Sequence, residues 1–214
     1  MMKINILLVA LVVTLNSCND KKNFNNVTNQ RYLLFKNKFD STLVNHFPSI
    51  LNSTDNFTVA NTNSEKNDVG LFLFEYNLSS NSIKKLEKKI IQNYKSVYTN
   101  KDLCLLIVNR FETVRTKDSL EMVEIGDSSL IDKPCYKKLL PVPNFIDFSI
   151  ANNVDFWKDK GFKIYVINAE SGNHFKQFEL QPNPQMPKGW ENGFSKGVAI
   201  NKTKNTVIYW SIIW

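Results

Sequence analysis

Apolar residues recur at two different periods along this chain, helical in the first half and alternating near the end. Tyr32, Phe35, Phe39, Leu43 and Phe47 recur every three or four positions, which predicts a helix over 31–47 with one apolar face. Pro48 disfavours its continuation. Residues 49–68 are rich in Asn, Ser and Thr and read as loops with a short strand. Val69-Gly70-Leu71-Phe72-Leu73-Phe74-Glu75-Tyr76 reads as a strand buried on both faces. Ser80 or Ser82 can cap a following helix. That helix runs to about Val97, with Ile83, Leu86, Ile90, Tyr94 and Val97 on one side. Lys84, Lys85, Lys88, Lys89 and Lys95 populate the other. A strand over 103–109 comes next, so the pattern allows a parallel βαβ unit.

Residues 111–140 show no clear period, and Ser119 to Ile125 fits a short helix or a strand. Lys133-Pro134-Cys135 and Leu140-Pro141-Val142-Pro143 break regular structure. Beyond them, Phe162 to Ala169 alternates as a strand does. Glu170-Ser171-Gly172-Asn173 reads as a turn and His174 to Leu180 as a return strand. Gln181 to Trp190 holds three prolines in six residues. Two strands close the chain, near 197–201 and 206–214. The last, Val207-Ile208-Tyr209-Trp210-Ser211-Ile212-Ile213-Trp214, is too apolar for an exposed edge. The expectation is one α+β domain: two main helices on a mostly antiparallel sheet, with the C-terminal strands central.

A separate apolar run lies at the start. Lys3 precedes Ile4 to Leu15, twelve residues interrupted by Asn5 and Thr14. As a helix this run reaches about 18 Å, and a membrane span needs about 20 apolar residues. It suits a cleaved secretory leader. It ends in Leu15-Asn16-Ser17-Cys18, which resembles the lipobox of bacterial lipoprotein signal peptides. The resemblance covers residues 1–18. It implies removal of residues 1–17 and lipid on Cys18, with each buried methylene contributing about 0.8 kcal/mol. The expected organisation is then leader 1–17, polar tether 18–29 and globular domain 30–214. Asn19 to Asn29 would reach at most about 36–40 Å from the membrane.

Charge adds a basic balance. The chain carries +7, and +6 without Lys3. Acids interleave with most lysines, so this reads as solubility charge with a leaning toward anionic surfaces. Nucleic acid does not suit the implied compartment. Of the three cysteines, Cys104 and Cys135 remain once Cys18 carries lipid. Export permits a disulfide between them. A free Cys104 buried in Leu103 to Val108 is the other reading. The Asn-x-Ser/Thr triplets at Asn26, Asn52, Asn56, Asn77 and Asn201 follow from the abundance of Asn, 28 residues in all.

No constellation names a reaction. His46 and His174 stand in no metal-ligand spacing. There is no Gly-x-Ser-x-Gly elbow, no Gly-x4-Gly-Lys-Ser/Thr loop and no Gly-x-Gly-x-x-Gly. No metal or cofactor is expected. Glu121 with Glu124, and Asp155 with Asp159, have spacings that fit one helix face. Paired carboxylates can hydrolyse glycosides. The one local binding candidate is the loop with Met186, Lys188, Trp190 and Phe194, which either presents aromatic surface to a sugar or peptide or pins itself to the core. The functional expectation is a membrane-anchored, non-catalytic envelope lipoprotein binding a protein or polymer partner. An immunity-type protein that neutralises an incoming toxin is one form of it. A carboxylate-dependent hydrolase of an envelope polymer is the alternative.

Overall fold

A computed structural model describes residues 26–63, 67–119, 123, 125–146 and 161–214. Its elements are helices and an antiparallel sheet, an α+β fold. In chain order they begin with α1 (residues 26–36) and α2 (Ser41–Val44). β1 (Asn56–Asn61), β2 (Val69–Glu75), α3 (Ser80–Ile90) and β3 (Ser96–Thr99) follow. Then come β4 (Ile107–Val108), α4 (Val114–Ser119) and β5 (Val142–Pro143). β6 (Phe162–Ser171), β7 (Gly193–Asn201) and β8 (Thr206–Ile213) end the chain.

Six strands form one sheet in the order β1-β2-β8-β7-β6-β3, every neighbour antiparallel. The two C-terminal strands lie at its centre. Alternation on these strands explains why they read as continuous apolar runs. Val69, Leu71, Leu73, Val198, Ile200, Val207, Tyr209 and Ile213 face one side and join a core with Tyr32, Leu43, Phe47, Ile83 and Ile90 of the helices. Phe74, Ala199, Ile208, Trp210 and Ile212 face the other, against Val108 of β4, Val142 of β5 and Phe145 in a layer made mostly of loops. Both sides are therefore covered, one by helices and one by a loop layer. Phe145 meets Trp210 edge-on at 5.2 Å between ring centroids, a favoured aromatic geometry. Gly197 sits opposite Trp210, and a Cβ there would collide with the Tyr165 carbonyl and the Trp210 indole.

Several expectations change. The stripe over 31–47 becomes two helices, because Asp40 accepts from Thr42 N at 2.8 Å and starts α2 afresh. The first helix also takes in residues 26–29, which the sequence places in the tether. The βαβ unit is not a neighbouring pair. β2 and β3 run the same way but stand three strands apart, and the stretch at 103–109 gives only β4, paired in parallel with β5 in a second sheet. Finally, His174 to Leu180 does not return as a strand. Both edges of β6 are taken, by β7 and β3, and a short 3-10 turn at Lys176–Phe178 stands there instead. Helix α3 begins from Ser79, whose side chain accepts from Ser82 N, and ends at Ile90 rather than near Val97. Most of Ser119 to Ile125 lies outside the described residues.

Candidate functional site

The polar residues that the sheet draws inward fall into two groups. The first lies between the sheet and α2. A helix end leaves its last carbonyls without partners. Lys196, 9 % exposed on the central strand β7, supplies one: its amine donates to the Thr42 carbonyl and, at 3.2 Å, to Asn45 Oδ1. Burial holds this amine below the ordinary lysine range. Next to it His46 Nε2 donates to the Trp210 carbonyl at 2.9 Å. Burial, then the Lys196 charge, push the imidazole down to about 3, so it is neutral at ordinary pH. Its Nδ1 and the Ser211 Oγ are buried and find no hydrogen-bond partner among the described residues. Lys196 and Ser211 face each other across the β7–β8 ladder. The residue types suggest a nucleophile and base, but such a serine must be hydrogen-bonded to its base and open to substrate. Ser211 makes no such bond and is 1 % exposed. This group braces α2 against the sheet.

Close by, Glu75 is fully buried at the end of β2. Its carboxylate accepts from Asn52 N at 2.5 Å, Asn52 Nδ2 at 3.1 Å and Ser53 N at 3.1 Å. Burial raises its pKa despite these bonds. It ties the 52–53 loop to the sheet.

The second group lies in the loop layer. Asn109 donates to Asp68 and accepts from Asn183 Nδ2 at 2.5 Å. Asn183 Oδ1 accepts from Gln185 N at 2.9 Å, and Gln185 Oε1 accepts from Phe111 N at 2.9 Å. Asn144 Nδ2 donates to the carbonyls of Asn109 at 2.9 Å and Glu112 at 3.0 Å. All four of Asp68, Asn109, Asn183 and Gln185 are buried. Asn109 adopts φ 54°, a conformation Asn tolerates better than most residues. Beside the network is a recess lined by Val59, Asn61, Asp68, Gly70, Phe72, Asn144 and Ile146, with about 20 Å³ of space. That holds one water molecule, far below what an organic ligand occupies. Among its described lining residues one is a carboxylate, Asp68, where glycoside hydrolysis takes two.

The residues singled out from sequence do not converge. Cys18 lies outside the described residues, as do Glu121, Glu124, Asp155 and Asp159. His46 is the brace described above; His174 bonds the Ser171 carbonyl at 2.8 Å at an exposed turn. Cys104 and Cys135 are joined by a disulfide, Cα atoms 6.2 Å apart, across 31 residues. In the chain-entropy model such a loop stabilises by about 3–4 kcal/mol. In the 186–194 loop Met186 and Phe194 are buried, on opposite sides of the sheet. Trp190 lies against Trp214, ring centroids 6.1 Å apart, and Trp214 Nε1 donates to the Trp190 carbonyl at 2.7 Å. Only Lys188 of the four is exposed. The loop is thus fastened to the core through Met186, Phe194 and the Trp190–Trp214 contact. Among the described residues, no three His, Cys, Asp or Glu side chains gather to hold a metal.

Sequence reasoning missed Lys196, Asp68, Asn109, Asn183 and Gln185. For Lys196 a signal exists: Phe194 and Val198, two residues away on either side, share its face of the strand and point into the core. Comparison with family models, with curated proteins and with solved structures gave no match.

Proposed function

We propose that the protein is a bacterial envelope lipoprotein, anchored to a membrane through lipid on Cys18, whose folded domain binds a protein or polymer partner and performs no catalysis. The observation that carries the second half is the use made of its buried polar groups. Among the described residues the buried charged side chains Lys196, Glu75 and Asp68 bond α2, the 52–53 loop and Asn109. A catalytic domain would instead turn such groups into a cleft, and the recess beside Asp68 takes one water. The anchor rests on the lipobox at Leu15–Cys18. The Cys104–Cys135 bridge suits an exported chain. Among the described residues no helix is long and apolar enough to cross a membrane, so the lipid would supply the attachment. Immunity toward an incoming toxin is one form this binding takes.

Capture of the anchored protein after mild cross-linking in intact envelopes tests the reading. One saturable partner, recovered again with purified components, is expected. Breakdown of peptidoglycan or envelope polysaccharide by the purified protein would contradict it.

A further inference from the structure

An anchor at Cys18 does not by itself decide which side of the domain meets the bilayer. Tyr32 of α1 and Ile83 and Ile90 of α3 enter the same core on the same side of the sheet. The outer sides of both helices therefore face away from the sheet together. On α1 that outer side presents Val27, Arg31 and Leu34 at helical spacing, Val27 63 % and Leu34 68 % exposed. Ile50, 66 % exposed, lies in a segment tied to the inner side of α1, since Leu51 N donates to Asn29 Oδ1 and Tyr32 Oη to the Pro48 carbonyl. On α3 the outer side presents Lys84, Lys85, Lys88 and Lys89. The one acid of that helix, Glu87, is turned inward, to Lys202 at 2.6 Å and the Tyr165 hydroxyl at 2.8 Å. Ile91 ends the helix, 52 % exposed. Tyr94 packs edge-on against Tyr165, and Val97 pairs with Tyr165 across β3 and β6. Six of the seven large apolar residues exposed in the described chain thus lie on the helix side, Leu103 being the other.

Charge is distributed the same way. Residues 26–50 and 80–95 hold eight Lys and Arg against Asp40 and Glu87, a net +6, and the whole chain from Cys18 onward is also +6. Lys95 is paired with Glu170 at 3.9 Å and Lys36 with the Phe47 and Pro48 carbonyls, so the four outer lysines of α3 and Arg31 carry the surface charge. The remainder nets to zero. Exposed aliphatic and tyrosine side chains amid lysines match a bilayer boundary: apolar groups enter the acyl edge while cations meet anionic headgroups. Chain length agrees. Eight residues from Cys18 to residue 26 span at most about 26–29 Å, so α1 is held close to any membrane that holds the lipid.

We infer that the helix side is a docking surface for anionic phospholipid, so that the domain lies with α1 and α3 on the bilayer and the loop layer outward. The inference rests on the anchor at Cys18 only for the tether. Full-length lipidated protein, mixed with vesicles of equal parts phosphatidylglycerol and phosphatidylcholine, tests it by lysine acetylation read by mass spectrometry. Lys84, Lys85, Lys88 and Lys89 should react about tenfold more slowly than with phosphatidylcholine alone. Lys137, Lys138 and Lys188 of the loop layer should be unchanged. Equal reactivity in both vesicles overturns the proposal, as does protection confined to the loop layer or protection that needs envelope protein rather than anionic lipid. Replacing the four exposed lysines of α3 by Glu should abolish the preference for anionic vesicles, read by flotation, at an unchanged melting temperature; a retained preference overturns it. The Cys18→Ala variant separates the two claims. Protected lysines with no loss of membrane retention keep the surface and remove the anchor. Released protein whose lipidated form shows no protection keeps the anchor and removes the surface.

Discussion

His46 shows how one buried side chain ties fold to pH. Its Nε2–H bonds the Trp210 carbonyl on the central strand, which fixes the neutral tautomer with Nδ1 bare. Burial and the Lys196 charge oppose protonation, and the carbonyls of Trp210 and Gly197 offset only part of that. Unfolded, the ring takes a proton near pH 6.5; folded, it resists until about 3. Stability is thus full above pH 6.5 and falls between there and pH 3, by about 1.4 kcal/mol per pH unit from this group. Glu75, raised by burial, acts in the opposite sense. Denaturant titrations at pH 7 and pH 4 should show the loss, and His46→Gln, which keeps an N–H for Trp210, should show less of it. An identical acid loss in the variant would remove His46 from the explanation.

Elements were legible in the sequence where both faces of a strand are apolar. Val69–Glu75 and Thr206–Ile213 stand almost where the pattern puts them, because burial on two sides leaves continuous apolar runs, and Phe162–Ser171 stands where its alternation puts it. The helix stripe misled at Asp40, where a capping side chain restarts the chain in mid-period. The return strand at 174–180 was a local reading of a question decided elsewhere: β7, from beyond the proline-rich loop, already holds that edge. The polar groups were illegible for the same reason. Asn109 meets Asp68 and Asn183, 41 and 74 residues away, and no local pattern announces such partners. At this scale β8 is the decisive element. Removing residues 210–214 exposes the sites of Trp210, Ile212, Ile213 and Trp214, none more than 4 % accessible. At about 1.5–3 kcal/mol each, their loss rivals the whole stability of a domain. The truncated chain should show no cooperative melting by circular dichroism; an unchanged transition would contradict the central position of β8.

For the whole molecule, the exposed lysines of α3 and most of the exposed apolar side chains of the described residues lie on the helix side, while the disulfide and the amide network stiffen the loop side. Under the proposed reading this would give an anchored domain two distinct surfaces, one for lipid and one left free for a partner. On that reading the loop layer, with Lys137, Lys138 and Lys188 exposed, would be the side turned toward a partner. The proposed anchoring hangs on the fate of Cys18. Mass spectrometry of the mature N-terminal peptide, taken from the protein in its native membrane, measures that fate directly. The expected peptide begins at Cys18 and carries a diacylglyceryl thioether with an acylated amine; a mature chain beginning elsewhere, or a Cys18 thiol without lipid, would contradict the anchor.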